Sequence, residues 1–254
     1  MELTTDAAPP VIRVKGLEAR YGENVIFRDV GFDVRRGEIF GILGGSGCGK
    51  STLMKLLIGL RSPYAGKVFI EGEEFVAEDQ KVFERLTRKM GVLYQSGALL
   101  SSMSVAENVA LPIQENTHLP AEIVHTMVHL NLQLVHLSGY QDYLPGELSG
   151  GMKKRTALAR AMALNPALLF FDEPSAGLDP ITAAEMDQLI VTLNQSLETT
   201  MVIVTHDLAS IFNIIDRAIV LDKESKTVVA SGNPKELRDA SENERVRRFF
   251  QREV

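Results

Sequence analysis

Gly44, Gly45, Ser46, Gly47, Cys48, Gly49, Lys50, Ser51 and Thr52 run consecutively and satisfy the pattern G-x-x-x-x-G-K-[ST] at every position. Few other short stretches constrain a fold as tightly, because the pattern works only between a buried strand and the first turn of a helix. Both neighbours are present. Ile39 to Leu43 is a short apolar run of the kind a buried strand presents, and Leu53, Leu56, Leu57 and Leu60 follow at helical spacing. In that setting successive backbone N–H groups converge on one hollow backed by the positive end of the helix dipole, which suits phosphate. Lys50 then reaches the outer phosphates as a point charge, the Ser51 hydroxyl is placed to ligate a Mg²⁺ bridging two of them, and Cys48 reads as a small filler.

Composition narrows the class. The 254 residues, 45% of them hydrophobic, suffice for one large domain with a sizeable core. A formal net charge of −6 leaves any nucleic-acid surface to a local patch, and no nucleic-acid partner is expected. No apolar run approaches the roughly 18 residues needed to span a bilayer, and Met1 to Pro10 is acidic, without the basic-then-apolar order of a signal peptide. A cytosolic chain with a disordered lead-in over residues 1–10 is therefore expected. The single cysteine excludes an internal disulfide and a cysteine-rich metal site, in keeping with a reducing compartment.

Along the chain, Val11 to Arg20 and Val25 to Val34 alternate in the manner of strands around a Tyr21-Gly22-Glu23-Asn24 turn, and Lys67 to Phe75 continues this antiparallel character. The later strands, Ile39 to Leu43, Val92 to Tyr94, Ala167 to Phe171, Met201 to Val204 and Ala218 to Leu221, are separated by helical stretches, which implies a parallel sheet covered by helices. Between Ala98 and Leu164 the periodicity is helical throughout, as in Ala121 to His136 and Arg155 to Leu164. That stretch reads as an insert with seams at Gly97 and Asn165-Pro166. Glu242 to Arg252 reads as a charged helix carrying Phe249 and Phe250.

Ala167 to Phe171 is apolar without alternation, as a strand buried on both faces should be, and ends in Asp172-Glu173. Carboxylates at the carboxyl end of a central strand lie where ligands bind in open α/β sheets. Asp172 is placed to hold Mg²⁺ through water, and Glu173 to polarise a water attacking the γ-phosphorus. His206 follows the next strand and can touch and report the γ-phosphate. Gln95, just past Val92 to Tyr94, offers an amide oxygen to Mg²⁺ or to that water.

Leu148-Ser149-Gly150-Gly151-Met152 opens a helix over Lys153 to Leu164, with Ala157, Leu158, Ala161 and Met162 on one face, and so makes a second anion-binding N-terminus. The basic run Lys153-Lys154-Arg155 is expected to be a solvated face. A second cradle is explained if it closes on nucleotide held by another copy of the chain. Asp179-Pro180 suits the N-cap and first position of a helix whose inner face is Met186, Leu189, Ile190, Leu193 and Leu197.

Taken in order, the phosphate loop, Gln95, Leu148 to Met152, Leu168 to Glu173, Ser175 to Asp179 and His206 resemble the ATPase of an ABC transporter, from about Val11 to Gly232. The resemblance implies an α/β fold: a P-loop, RecA-like, mostly parallel core with an N-terminal antiparallel β-subdomain and an inserted helical subdomain. It implies a single domain over 11–240, with core 11–96 and 166–240, helical subdomain about 97–165, and a C-terminal helical tail at 241–254. It also implies a head-to-tail homodimer holding ATP and Mg²⁺ between the loop of one copy and Ser149, Gly150 and Gly151 of the other. Tyr21 would stack on adenine, Asp179 would connect the two sites, Ser51, Gln95 and Asp172 would hold the metal, and Glu173 and His206 would act in hydrolysis.

Gln95 to Leu100, Met103 to Val105, Asn108 to Ala110, Met152 and the ending Arg245 to Phe249 are further similar to the Mla-type, MCE-associated ATPases that energise phospholipid transport between membranes. That narrower resemblance implies membrane-spanning permease subunits gripped by the helical insert, an MCE-type lipid-binding subunit, and a place at the cytoplasmic face of the inner membrane. The rival readings are an importer ATPase for a small solute and an ABC-type protein acting on nucleic acid or ribosomes. The acidic balance and the absence of a long heptad insertion weigh against the latter.

Overall fold

The computed structural model describes residues 9–251; residues 1–8 of the expected lead-in and residues 252–254 of the tail lie outside it. Strands β1 (Ile12–Tyr21) and β2 (Asn24–Val34) form an antiparallel hairpin closed at Tyr21 and Asn24, and β4 (Ala65–Ile70) and the short β5 (Glu73–Glu74) complete a sheet of order β2-β1-β4-β5. The second sheet runs β10-β9-β3-β8-β7-β6, comprising β3 (Ile39–Gly44), β6 (Met90–Leu93), β7 (Leu168–Asp172), β8 (Thr200–Val204), β9 (Arg217–Asp222) and β10 (Thr227–Gly232). Every neighbouring pair in it is parallel except β9 with β10. The expected strands agree to within a residue or two, but β10 is not among them; its half-buried, edge-strand pattern lacks a run of buried apolar residues.

The central strands read as continuous apolar runs because both faces are buried. Ile39, Leu43, Leu169, Phe171, Met201 and Ile203 pack on one side of the sheet. Phe40, Ile42, Leu168, Phe170, Val202 and Val204 pack on the other, against the antiparallel sheet and α1 (Lys50–Leu57). The side chains alternate by period two, yet each side finds a core.

Between β6 and β7 every regular element is helical: α3 (Val105–Asn116), α4 (Ala121–Leu134), a single 3-10 turn and α5 (Gly150–Met162). Ser104 and Glu107 form a capping box at the start of α3, and α5 packs on both α3 and β6. Two helices outside that stretch, α2 (Gln80–Thr87) and α6 (Pro180–Leu197), flank the core. Leu60, expected at helical spacing, lies beyond the end of α1 and is exposed, and Leu197, expected on the inner face of α6, is exposed at its end. The chain ends through α7 (Leu208–Ile214), α8 (Pro234–Ala240) and α9 (Glu244–Gln251), the last anchored by buried Val246 and Phe250. Among the described residues no helix is long and apolar enough to cross a membrane.

Candidate functional site

Because β3, β8, β7 and β6 are neighbours and parallel, their carboxyl ends lie along one edge. The segments that leave them carry the phosphate loop, His206, Asp172-Glu173 and Gln95. This is the edge at which open α/β sheets bind ligands.

The loop turns tightly where only glycine fits. Gly44 has φ +143, and a Cβ there would lie 2.3 Å from the carbonyl oxygen of Leu221. Gly49, the residue before α1, has φ +105, and its Cβ would run into Ile26 and Phe27 at 2.8 and 2.9 Å. The Lys50 Nζ donates to the carbonyls of Gly44 at 2.8 Å and Gly45 at 3.0 Å, folding the ammonium back over the hollow. Cys48 is buried beneath the loop, and burial pushes its thiol up from the ordinary range. Tyr21, half exposed, carries the Arg61 guanidinium 3.7 Å above its ring, and Thr52, at the end of the phosphate loop, is the first cause that lowers its phenol from the usual range.

At the end of β7, Asp172 Oδ1 is buried and, among the described residues, without a hydrogen-bond partner. Burial first, then the neighbouring Glu173, push Asp172 upward, opposed by Lys55, Ser51 and Lys154. Asp172 shares an open cleft of about 510 Å³ with Gln95, Tyr94, Ser96, Ala176 and Gly177. Glu173 sits in the left-handed region at φ +50, a conformation that costs a non-glycine residue ~1–3 kcal/mol and that functional sites concentrate. Its N–H donates to Val204 O at 2.8 Å, and its Oε1 lies 2.7 Å from Nδ1 of His206. Glu173 is therefore held from its backbone and aimed at its histidine neighbour.

Ser149 caps α5 by accepting from the Met152 N–H at 3.3 Å, and a Cβ on Gly151 would lie 2.5 Å from the Thr182 methyl. Among the described residues no hydrogen bond joins Ser149, Gly150 or Gly151 to the phosphate loop. Asp179 caps α6 through the Ile181 and Thr182 N–H groups and accepts from the Thr182 hydroxyl at 2.6 Å, and these bonds hold its carboxyl below the usual range. Within one chain the loop, Gln95, Asp172, Glu173 and His206 converge; Ser149 to Gly151 stand apart from the loop.

The basic run on α5 departs from the solvated face expected of it. Lys154 is only 7% exposed and its Nζ donates to Gln95 O at 2.6 Å and Glu173 O at 3.1 Å, while Arg155 pairs with Glu185 at 2.7 Å. Arg160, one helical face along, donates to the carbonyls of Gly97 and Ala98 at 2.8 and 2.7 Å. The sequence held the signal: Lys154 stands three and four residues before Ala157 and Leu158, on the apolar face. Burial lowers the Lys154 ammonium, and Asp172 and Glu173 oppose that shift.

Behind the site a second polar group is buried. Asp187 on α6 accepts from the Ser210 hydroxyl at 3.0 Å, and Ser210 lies 3.5 Å from Ser175. Burial is the main cause that raises the Asp187 carboxyl to about 6. Since the unfolded chain gives up this proton near the ordinary carboxylate value, stability is lost as pH rises from about 4 and levels off above about 6, by on the order of 2–3 kcal/mol. Asp187→Asn, which keeps the acceptor and cannot ionise, should therefore raise the thermal midpoint at pH 7.5 and leave it near the unaltered value at pH 4. Equal shifts at both pH values would count against a buried ionisation.

Residues 27–176 match the family model described as ABC transporter. The "Intermembrane phospholipid transport system ATP-binding protein MlaF" of Haemophilus influenzae is 39% identical over 243 residues, which cover 96% of this chain and 91% of that protein. The "Probable ribonucleotide transport ATP-binding protein mkl" of Mycobacterium leprae is 39% identical over 239 residues, covering 94% of this chain and 68% of that one. Among solved structures, the dimeric post-hydrolysis state of the ATP-binding cassette MJ0796 bound to ADP and Pi superposes with a TM-score of 0.78 at 29% identity, covering 87% of this chain and 98% of that one. On sequence, on fold and on the order of its motifs, this chain belongs to the ABC transporter family as one of its ATP-hydrolysing cassettes.

Proposed function

We propose that this chain is the motor subunit of a system moving phospholipid between membranes, working as a head-to-tail homodimer beneath a membrane-spanning permease with an MCE-type lipid-binding subunit. The observation that carries the motor reading is the convergence of Lys50, Asp172 and the 2.7 Å Glu173–His206 pair at one edge of the parallel sheet. Gly44 to Thr52 would cradle the phosphates, Lys50 would exchange its loop carbonyls for the outer phosphate oxygens, and Tyr21 would stack on adenine. Glu173 would accept a hydrogen bond from the attacking water and so polarise it, held in register by His206, which would also sense the γ-phosphate. The buried Asp172 Oδ1, unpartnered among the described residues, near Ser51 and in one cleft with Gln95, suits a hard cation, so Ser51, Gln95 and Asp172 are the residues that would hold Mg²⁺. Mg²⁺, when bound, would neutralise negative charge on the phosphates.

The isolation of Ser149, Gly150 and Gly151 from the phosphate loop of their own chain supports a dimer in which they close on ATP held by the partner, with Asp179 joining the two sites. The all-helical stretch 97–165 would then move as a unit on the core 11–96 and 166–240 and grip the permease at the cytoplasmic face of the inner membrane, with 241–254 as the tail. The lipid reading rests on the likeness to the phospholipid transport protein, and the likeness to the mycobacterial protein named for ribonucleotide transport keeps a small-solute transporter as the second reading. Isolating the chain with its bound membrane proteins in mild detergent, and identifying the lipids and proteins that come with it, separates them. Phospholipid and an MCE-type protein are the expected companions; a soluble-solute receptor in their place would overturn the lipid reading.

A further inference from the structure

Lys154 joins three parts of the molecule through one side chain. Its backbone belongs to α5, the helix opened by Ser149, while its ammonium is bonded to carbonyls at the ends of two different strands, Gln95 after β6 and Glu173 after β7. Glu173 O has one more donor, the Ala176 N–H at 3.1 Å, which is local to its own loop. Glu173 also has a left-handed backbone, at φ +50. Gln95 and the two residues after Ser96 are carried by α5 in the same way, through Lys154 and Arg160. Any displacement of α5 therefore pulls on the backbone of Glu173 and of Gln95 together.

We propose that Lys154 is a positioning residue for hydrolysis: its ammonium fixes the Glu173 carbonyl and couples the pose of the Glu173 carboxylate to the position of α5. Closure of Ser149 to Gly151 on the nucleotide of a partner copy would thereby set Glu173 for attack, and its release would unset it. The proposal rests on the reading of Glu173 as the group that polarises water.

The test compares the full-length chain with Lys154→Met, which keeps the stem of the side chain and donates nothing, in Mg²⁺-ATP hydrolysis and in equilibrium binding of ATP. The expected result is a kcat lower by about ten- to a hundredfold with KM and affinity changed less than about twofold. In a Glu173→Gln background the same substitution should lower the residual turnover no further, since the residue it positions is already disabled. An unchanged kcat, a parallel loss of kcat and affinity, or a further loss in the Glu173→Gln background would overturn the proposal. Should Lys154→Met fail to fold, Lys154→Leu, which also donates nothing, is held to the same readouts. Full activity of Glu173→Gln alone would instead remove the reading of Glu173 itself, whereas an inactive Glu173→Gln beside an unimpaired Lys154→Met removes only the role of Lys154.

Discussion

Glu173→Gln should bind ATP as tightly as the unaltered chain and hydrolyse it about 10²- to 10⁴-fold more slowly, the range expected when a positioned acid–base group is removed. The substitution preserves shape and leaves the backbone contacts to Val204, Lys154 and Ala176 in place. What it removes is the acceptor strength of a carboxylate held 2.7 Å from His206. With product formation blocked and binding intact, ATP should accumulate in the closed assembly, so gel filtration in Mg²⁺-ATP should shift toward a dimer for the variant more than for the unaltered chain. The paired readout matters because a folding defect would lower binding and turnover together. Undiminished hydrolysis would take Glu173 out of the mechanism.

How much of this was legible in the sequence follows from how local each signal is. The phosphate loop depends on residues adjacent in the chain, and Asp172-Glu173 is marked by the abrupt end of an apolar run; both need only short-range pattern. The two-sided burial of Phe170 and Phe171 is legible for the same reason, since a strand buried on both faces loses its alternation. Lys154 is legible only in part. Its spacing to Ala157 and Leu158 puts it on the apolar face, but a run of three basic residues argues for solvent, and the backbone carbonyls that compensate its burial are distant in sequence. The 2.7 Å approach of Glu173 to His206 and the Asp187–Ser210–Ser175 cluster likewise depend on how β7, β8, α6 and α7 sit side by side. The antiparallel β10 escapes notice because a half-buried edge strand shows no run of buried apolar residues.

Lys50→Ala should cost ATP affinity about 100- to 1,000-fold, because it deletes charge-assisted hydrogen bonds to phosphate, each worth about 1.5–3 kcal/mol. Without phosphate the ammonium is bonded to Gly44 O and Gly45 O, so it must give up two carbonyls to reach a nucleotide. The exchange favours the nucleotide because phosphate oxygens carry full negative charge and the carbonyls do not. The loop itself should keep its shape in the variant: its turns are set by Gly44, Gly47 and Gly49 at positive φ, and Cys48 remains packed beneath it. A thermal midpoint close to that of the unaltered chain, alongside the lost affinity in calorimetric titration, is therefore the expected pair of results. The loss should also be larger for ATP than for adenosine, which carries no phosphate for Lys50 to meet. A variant that binds ATP normally would mean that the hollow at the end of β3 holds something other than phosphate.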